Sequence, residues 1–507
     1  MKMTIQVVIE DDDATPQVAQ KVVLLERHIE NFGPSTLGLT LDEGKEILAG
    51  IQTVLVTAQT TRFVESQRFC PNCGAAYVKN GTHQLTFRTL FGTMKLASQR
   101  FFTCPCQKAR ISVLGQKDKA QQQKKTQMSF SPLADLLPER TAPEFLYLQT
   151  KWVAVMSYER TAEFLGEVFP LEKSISTAVL FQHVEQVATR IDGELGDEQS
   201  SFVEGCPAEW EELPGPAEPI VMGIDSGYVH AREGKNRKTG SFEIIVGKSM
   251  GGGKPTKRFG FVNTYDTKPK RRVYEVLKSQ GLQMNQQVTF LSDGGDDVRN
   301  LQLYLNPYAE YLLDWFHITM RLTVLGQLAK GVALQTAALD EKKEQQPFEE
   351  EEEPLPSVPT LEELERQLER MKWYLWHGNV FRALQIGEDL EDDLELLEGE
   401  DISIQKMYQA VREFNGYITA NESYVVNYGD RYRNGETIST AFVESTVNEV
   451  ISKRFVKKQQ MRWTKKGAHN LLQVRIQVLN DDFKQTFHKW YAGMQEPPVF
   501  AEYDKAA

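Results

Sequence analysis

Cysteine is scarce in this sequence, with five residues in 507. Five thiols are too few to staple so long a chain into a disulfide framework. No run of about 18 apolar residues is present, the length a bilayer crossing needs. The N-terminal residues also lack a basic segment followed by an apolar core and a cleavage site. These absences point to a cytosolic protein with no membrane partner. A positive net charge is missing too: the formal balance is −12, which taken whole argues against a polyanionic partner. No internal repeat is found. What remains is an ordinary globular composition, 41% hydrophobic and 25% charged. The length allows several cores, since single domains stop growing near ~250 residues.

The distribution of charge reverses the reading of its sum. Between Arg62 and Lys125 stand 12 Lys/Arg against 2 acids, and from Lys453 to Lys489 there are 10 against 2. Each is the local excess expected where phosphates bind. Asp340 to Asp401 holds 21 acids and 6 bases, so one segment outweighs the whole-chain deficit.

Periodicity and turn residues divide the chain. Residues 1–66 read as an N-terminal helical segment, with a helix opening at the Thr40-Leu41-Asp42-Glu43 start signal. Residues 67–114 read as a small β-rich module, its strands Gln84 to Leu90 and Thr93 to Phe102 set between turn signals. A Gln/Lys linker (115–126) leads to a helical, helix-turn-helix-like region (127–203), broken at Gly166, Pro170, Ser174 and Ser176. After a Pro/Gly/acid-rich boundary (204–218), short apolar runs at Ile220 to Ile224, Ser241 to Gly247, Gly260 to Tyr265 and Val288 to Leu291 alternate with helix. That is the pattern of a mixed sheet (219–335). An acidic helical insertion (336–435) precedes a last helical, basic part (436–507).

Two constellations carry chemistry. Cys70-Pro-Asn-Cys73 and Cys104-Pro-Cys106 are paired-thiol knuckles about thirty residues apart, the spacing of a zinc ribbon. Four protein thiolates leave no open position for water, so such a zinc is structural. His83 is a less suitable ligand beside the Asn80-Gly81 turn, and Cys206 stands alone. The second constellation is Asp225 closing the strand Ile220 to Ile224, Asp293 closing Val288 to Leu291, and an acid arriving from a helix. Carboxylates at the ends of neighbouring buried strands converge, because strands lie about 5 Å apart. Hard oxygen ligands suit Mg²⁺, which completes its shell with water and phosphate oxygens.

Gly223-Ile224-Asp225-Ser226-Gly227, Leu291-Ser292-Asp293-Gly294 and Leu313-Asp314-Trp315-Phe316-His317, in that order, resemble landmarks of Mutator-like and related bacterial DDE transposases. Val443-Glu444-Ser445-Thr446-Val447, then Arg454, Met461-Arg462-Trp463-Thr464 and Gly467, resemble the third-acid region of the ISKra-type insertion-sequence transposases. The resemblance implies a multidomain α+β protein. In it a ribonuclease-H-like mixed-sheet catalytic core holds a helical insertion and follows a zinc ribbon and a helical DNA-binding region. It further implies Asp225, Asp293 and Glu444 as ligands of two Mg²⁺ ions, which Mn²⁺ can replace. Strand cleavage at transposon ends would be followed by strand transfer. The partners would be double-stranded DNA, as terminal inverted repeats and target, and a second copy of the chain, in a bacterial cytoplasm at the nucleoid. A ribonuclease-H-like nuclease without strand transfer and a domesticated zinc-containing DNA-binding regulator are the rival readings.

Other residues stay open at this stage. Glu449 competes with Glu444 as third acid, and Asp296 and Asp297 compete with Asp293. Asp314 and His317, three apart on a presumed helix, either order the active site or pack a helix. Trp463 is a base-stacking or a core residue, and Lys457, Lys458, Arg462, Lys465 and Lys466 are the basic candidates for DNA.

Overall fold

A computed structural model describes residues 2–10, 16–31, 33–106, 128–171, 174–216, 218–232, 240–251, 253–302, 304–343, 360–396, 402–456 and 462–494. The expected linker Lys117 to Lys125, the Glu349 to Glu353 run and Lys457 and Lys458 lie outside these residues. The chain divides into two compact units, Met1–Val187 with Asp481–Ala507, and Ala188–Asn480.

In the first unit, Lys2–Glu10 (β1) and Pro16–Glu26 (β2) pair as an antiparallel hairpin. This corrects the helical reading of 1–66: Thr4, Ile5, Val7, Val8 and Ile9 are β-branched, and such side chains favour extended backbone. Helix does begin at the Thr40 signal, as Leu41–Ser66 (α1). There the Thr40 hydroxyl accepts from Glu43 N–H at 3.3 Å while the Glu43 carboxylate accepts from Thr40 N–H at 2.9 Å. Lys79–Thr89 (β3), Gly92–Phe102 (β4) and Ser129–Phe130 (β5) form an antiparallel sheet. Leu85, Met94 and Leu96 turn inward against Val56 and Leu133, and Lys79, Arg88, Lys95 and Arg100 stay exposed. Helices follow at Pro132–Leu136 (α2), Pro143–Val155 (α3) and Tyr158–Val168 (α4), and then Thr177–Glu194 (α5), within which the division between the units falls. Ser157 and Ser176 cap the last two, each hydroxyl accepting from an N–H three residues on. A final helix, Phe483–Trp490, belongs to this unit, Phe483 stacking on Tyr147.

The second unit opens with the short helix Pro207–Glu211 (α6) and is built on Ile220–His230 (β6), Ser241–Gly251 (β7), Lys257–Val262 (β8), Val288–Ser292 (β9) and Ala309–Leu313 (β10). Pro269–Ser279 (α7) and Asp296–Gln302 (α8) connect the later strands. The sheet order is β10-β9-β6-β7-β8, with β6, β9 and β10 mutually parallel and β6, β7 and β8 an antiparallel meander. Every residue of β9 is buried, as expected of a parallel strand covered on both faces. β6 runs well past the expected Ile224, because β7 pairs with it as far as His230. Asp225 is therefore mid-strand, at the place where pairing with β9 has ended.

Between β10 and the last helices, Trp315–Lys343 (α9), Leu361–Trp376 (α10), Val380–Glu395 (α11), Ile402–Ala420 (α12) and Tyr428–Arg433 (α13) build a separate core. Leu364, Leu368, Met371 and Leu375 recur at helical spacing and fill it from α10. Glu388, Asp389, Asp392 and Asp393 line the outer face of α11 in solvent. The two ends of this insertion meet: Trp315 N–H donates to Ile438 O at 3.2 Å. The chain then forms Ala441–Val447 (α14), a π-helical stretch Asn448–Val456, and Lys465–Leu479 (α15).

α14 lies directly on β6, and two glycines let it. A side chain at Gly223 would come within 2.2 Å of Val443, and one at Gly227 within 3.0 Å of Ile451. Gly223→Ala should therefore destabilise the second unit by about 1–3 kcal/mol through overpacking. Gly326 in α9 meets nothing within 4 Å, so Gly326→Ala should be neutral or stabilising. Thermal melts of the two variants check this, and equal melting temperatures would refute the close approach.

Candidate active site and metal centre

The parallel register of β6 and β9 brings the first two acids together. Gly223 is level with Leu291, the last pair of the two strands, and Asp225 and Asp293 each stand two residues further on, near enough for the charge of Asp293 to act on Asp225. Gly223, Asp225 and Gly227 share one face by strand alternation. Val443 packs on the first of these positions and Val447 on the last. Glu444, in the first turn of α14 and exposed, flanks that line of contact. Asp225 and Asp293 are close enough to act on one another electrostatically, while the exposed Glu444 stands outside any group of ligand spacing. Among the described residues, the four cysteines are the group of three or more His, Cys, Asp or Glu whose ligand atoms lie within 4.8 Å of one another.

The competing acids have other surroundings. Glu449 is paired with Arg258 of β8, Nε to Oε2 at 3.0 Å. The side chains of Asp296 and Asp297 lie outside the described residues.

Asp314 is fully buried, and it is the N-cap of α9 rather than a residue on its face. Its Oδ1 accepts from Phe316 N–H at 3.0 Å and Thr440 N–H at 2.8 Å, and its Oδ2 from the Thr440 hydroxyl and from His317 Nδ1, the latter at 2.6 Å. Its own N–H donates to Ser292 O at 2.9 Å, one residue before Asp293. One residue thus joins the end of β9, through its N–H, to the starts of α9 and α14, through its carboxylate. No sequence spacing announces Thr440, which stands 126 residues away. Gly294, at φ +91°, has the Asn421 amide 2.6 Å from where a side chain would begin, so the insertion reaches the turn carrying Asp293.

The electrostatics are those of crowded negative charge. Burial, then the charges of Asp293 and Asp314, raise the Asp225 carboxyl above its ordinary value against the pull of Ser226 N–H and His317. Burial disfavours protonated His317, but the Asp314 hydrogen bond and the charges of Asp314, Asp225 and Asp293 outweigh it and raise the imidazole. Such a region gains from a bound cation.

Trp463 is a core residue here, 4% exposed. Its Nε1 donates to Phe455 O at 3.3 Å and the Arg454 guanidinium lies 5.4 Å from its ring. This removes it as an open base-stacking platform. Arg462, Lys465 and Lys466 are exposed beside it, and Lys465 Nζ donates to Thr264 Oγ1 at 2.7 Å.

In the first unit, Cys70, Cys73, Cys104 and Cys106 gather with sulfur–sulfur distances of 3.3 to 3.6 Å. Sulfurs placed about 2.3 Å from a tetrahedral zinc stand about 3.8 Å apart, so the cluster is compatible with zinc. Burial opposes charge on Cys70, yet the Asn72 and Cys73 N–H groups aimed at its sulfur bring the thiol down to about 6. Cys106 is pushed up by the thiols around it, as one member of a crowded set must be without a cation. His83 is exposed on β3 and outside the group, and Cys206 is exposed at the start of α6.

No family model matches this sequence, and no curated protein matches it. Among solved structures, a strand transfer complex of the Drosophila P element transposase aligns over 68% of this chain and 93% of that one, at 11% identity and a TM-score of 0.29. A likeness that faint carries no weight for fold or function. Among the described residues, no helix is long and apolar enough to cross a membrane.

Two outcomes follow from this geometry. Metal analysis of the purified protein should give about one zinc per chain, lost in Cys70→Ser or Cys104→Ser; a zinc-free protein with four freely reactive thiols would contradict it. At the acids, both raised groups bind extra protons on folding. Their stabilising contributions are present at low pH and disappear as pH rises through the folded values, for His317 above about 6.5. Asp225→Asn should therefore raise the melting temperature of the metal-free protein at pH 8 by about 2 °C while abolishing stabilisation by Mg²⁺ or Mn²⁺. A lower melting temperature with the divalent response intact would count against a cation site at Asp225.

Proposed function

We propose that the chain is a DDE transposase of the ISKra type, with a ribonuclease-H-like core formed by residues 219–335 and 436–507. The observation that supports this reading is that Asp225 and Asp293 each follow the last paired residues of the parallel strands β6 and β9 by two positions, with the helix bearing Glu444 packed on β6. The mixed sheet, the helical insertion between the second and third acids and the four-cysteine module ahead of the core support it.

Asp225, Asp293 and Glu444 would hold two Mg²⁺ ions. Bound there, the ions activate the attacking oxygen and offset charge on the leaving one. Glu444 is preferred to Glu449 because Arg258 already occupies the latter. Its exposure leaves it able to move inward when a cation offsets the repulsion of the other two carboxylates. Asp314 holds His317 by Nδ1 and sets the start of α14, so it positions both a cationic group and the third acid. The reaction would be hydrolysis at a transposon end, leaving a 3′-OH that attacks a target phosphodiester. Double-stranded DNA would be bound through local positive surface: Lys79, Arg88, Lys95 and Arg100 in the first unit, Arg462, Lys465 and Lys466 in the second. Screening confines each charge to about 8 Å at physiological salt, so the acidic face of the insertion need not cancel them. The zinc would be structural and would keep the β3–β4 module in shape for end recognition.

Asp225→Asn, Asp293→Asn and Glu444→Gln should each lower cleavage of end-bearing DNA by at least about a thousandfold, roughly 4 kcal/mol, with DNA affinity largely kept. Glu449→Gln should retain cleavage. A strand-transfer assay with pre-cleaved ends and supercoiled plasmid distinguishes a transposase from a nuclease. Cleavage by Glu444→Gln together with its loss in Glu449→Gln would overturn the assignment of the third acid.

A further inference from the structure

Arg321 stands on α9 one helical turn beyond His317 and on the same face. The charges of Asp225 and Asp293 act on that imidazole, so the arginine starts close to the acids. Its guanidinium lies over the ring of Tyr417, 4.1 Å from the ring centre. Tyr417 is half-buried on α12, and its carbonyl accepts from Asn421 Nδ2 at 2.9 Å. Asn421 is the residue set against Gly294, in the turn that follows Asp293. Burial raises the Tyr417 phenol, Arg321 draws it back, and the charges of Asp293 and Asp314 raise it again. Ring, guanidinium and acids therefore share one neighbourhood.

The second observation is what Arg321 does not hold. Among the described residues its side chain makes no hydrogen bond and no ion pair, although the chain has 70 Asp and Glu. Arginines that fasten elements elsewhere in this unit do reach carboxylates, Arg258 to Glu449 and Arg431 to Glu310. Arg321 is exposed, and stacking fixes the plane of a guanidinium while leaving the N–H donors around its edge free. A planar fork held in that way suits an acceptor with two oxygens side by side.

We propose that Arg321, laid on Tyr417, clamps a phosphodiester of duplex DNA beside the acids, its guanidinium donating to both non-bridging oxygens. This rests on the proposed reading of Asp225, Asp293 and Glu444 as the site that receives DNA. The phosphate held is a neighbour of the one that reacts, because Arg321 is a helical turn removed from His317. The role is one of positioning. A fixed cation offsets the repulsion between the DNA backbone and the half-buried carboxylates, and a side chain already held by a ring loses less freedom on binding. Tyr417 belongs to the helical insertion, which thereby shapes the path of DNA without adding positive charge of its own.

Fluorescence anisotropy of the full-length protein on a labelled, mixed-sequence DNA duplex tests this. Titration with salt in the absence of divalent ions keeps it apart from the two-ion reaction. Arg321→Ala should weaken binding at least about tenfold. It should also reduce the slope of log affinity against log salt by about 0.9, the loss of one phosphate contact. Arg321→Lys should keep the slope and lose affinity, since the charge stays and the fork goes. Tyr417→Leu should do the same by removing the ring alone; if it misfolds, Arg321→Lys decides. Arg382→Ala is the control. Arg382 is also exposed over a ring, that of Phe381 at 6.0 Å, but is bonded to Gln385, and its loss should leave the slope at the wild-type value. A lower melting temperature with an unchanged slope in Arg321→Ala would mark a structural arginine and overturn the clamp, leaving the two-ion reading in place. An equal loss of slope in Arg382→Ala would overturn it as well, in favour of diffuse charge. A wild type with no salt-dependent affinity for duplex DNA would overturn both readings.

Discussion

Asp314 has no exposed surface, and the two oxygens of its carboxylate take four hydrogen bonds from three residues. A buried carboxylate is tolerable only when so fully satisfied. Satisfying it brings the starts of α9 and α14 to one point, and its own N–H binds the end of β9. The residue before Asp293, His317 itself and the residue that starts α14 are thus all bonded to Asp314. Breaking it would leave an uncompensated buried charge as well as three loosened ends.

The cysteine module of the first unit and the acidic region of the second contrast as surroundings for a cation. The cysteine module is closed and soft, with four sulfurs already near tetrahedral spacing before any metal is considered. The acidic region is open and hard: Asp225 and Asp293 are half-buried and Glu444 is exposed. The first arrangement suits permanent holding. Under the proposed function the second would take ions that arrive with, and are completed by, phosphate oxygens.

Much of this was legible in the sequence because it depends on local pattern. The cysteine knuckles, the capping box at Thr40, the apolar strands β6 and β9 and the acids at Asp225 and Asp293 all announce themselves within a few residues. What was hidden depends on distant pairing. β6 outruns its apolar run because β7 supplies hydrogen bonds to Ser226 through His230 regardless of side-chain polarity. The β-branched run Thr4 to Ile9 marks β1 locally, whereas its pairing with β2 is not written in either segment. Trp463 becomes a core residue only because Phe455 and Arg454 fold over it. Thr440 and Arg258 are set by tertiary contacts alone.

The hydrogen bond between Trp315 and Ile438 bears on how such a chain can be assembled. More than a hundred residues leave and re-enter the second unit at points one hydrogen bond apart, and they bring their own core. A segment with adjacent ends places little strain on its host, since loop closure grows only slowly in cost with length. The helical lobe is in this sense a cassette. It is nonetheless fastened to its host beyond its two ends, by the Tyr428 hydroxyl on Leu313 O and by Arg431 on Glu310 of β10, while the exposed acids of α11 touch neither contact.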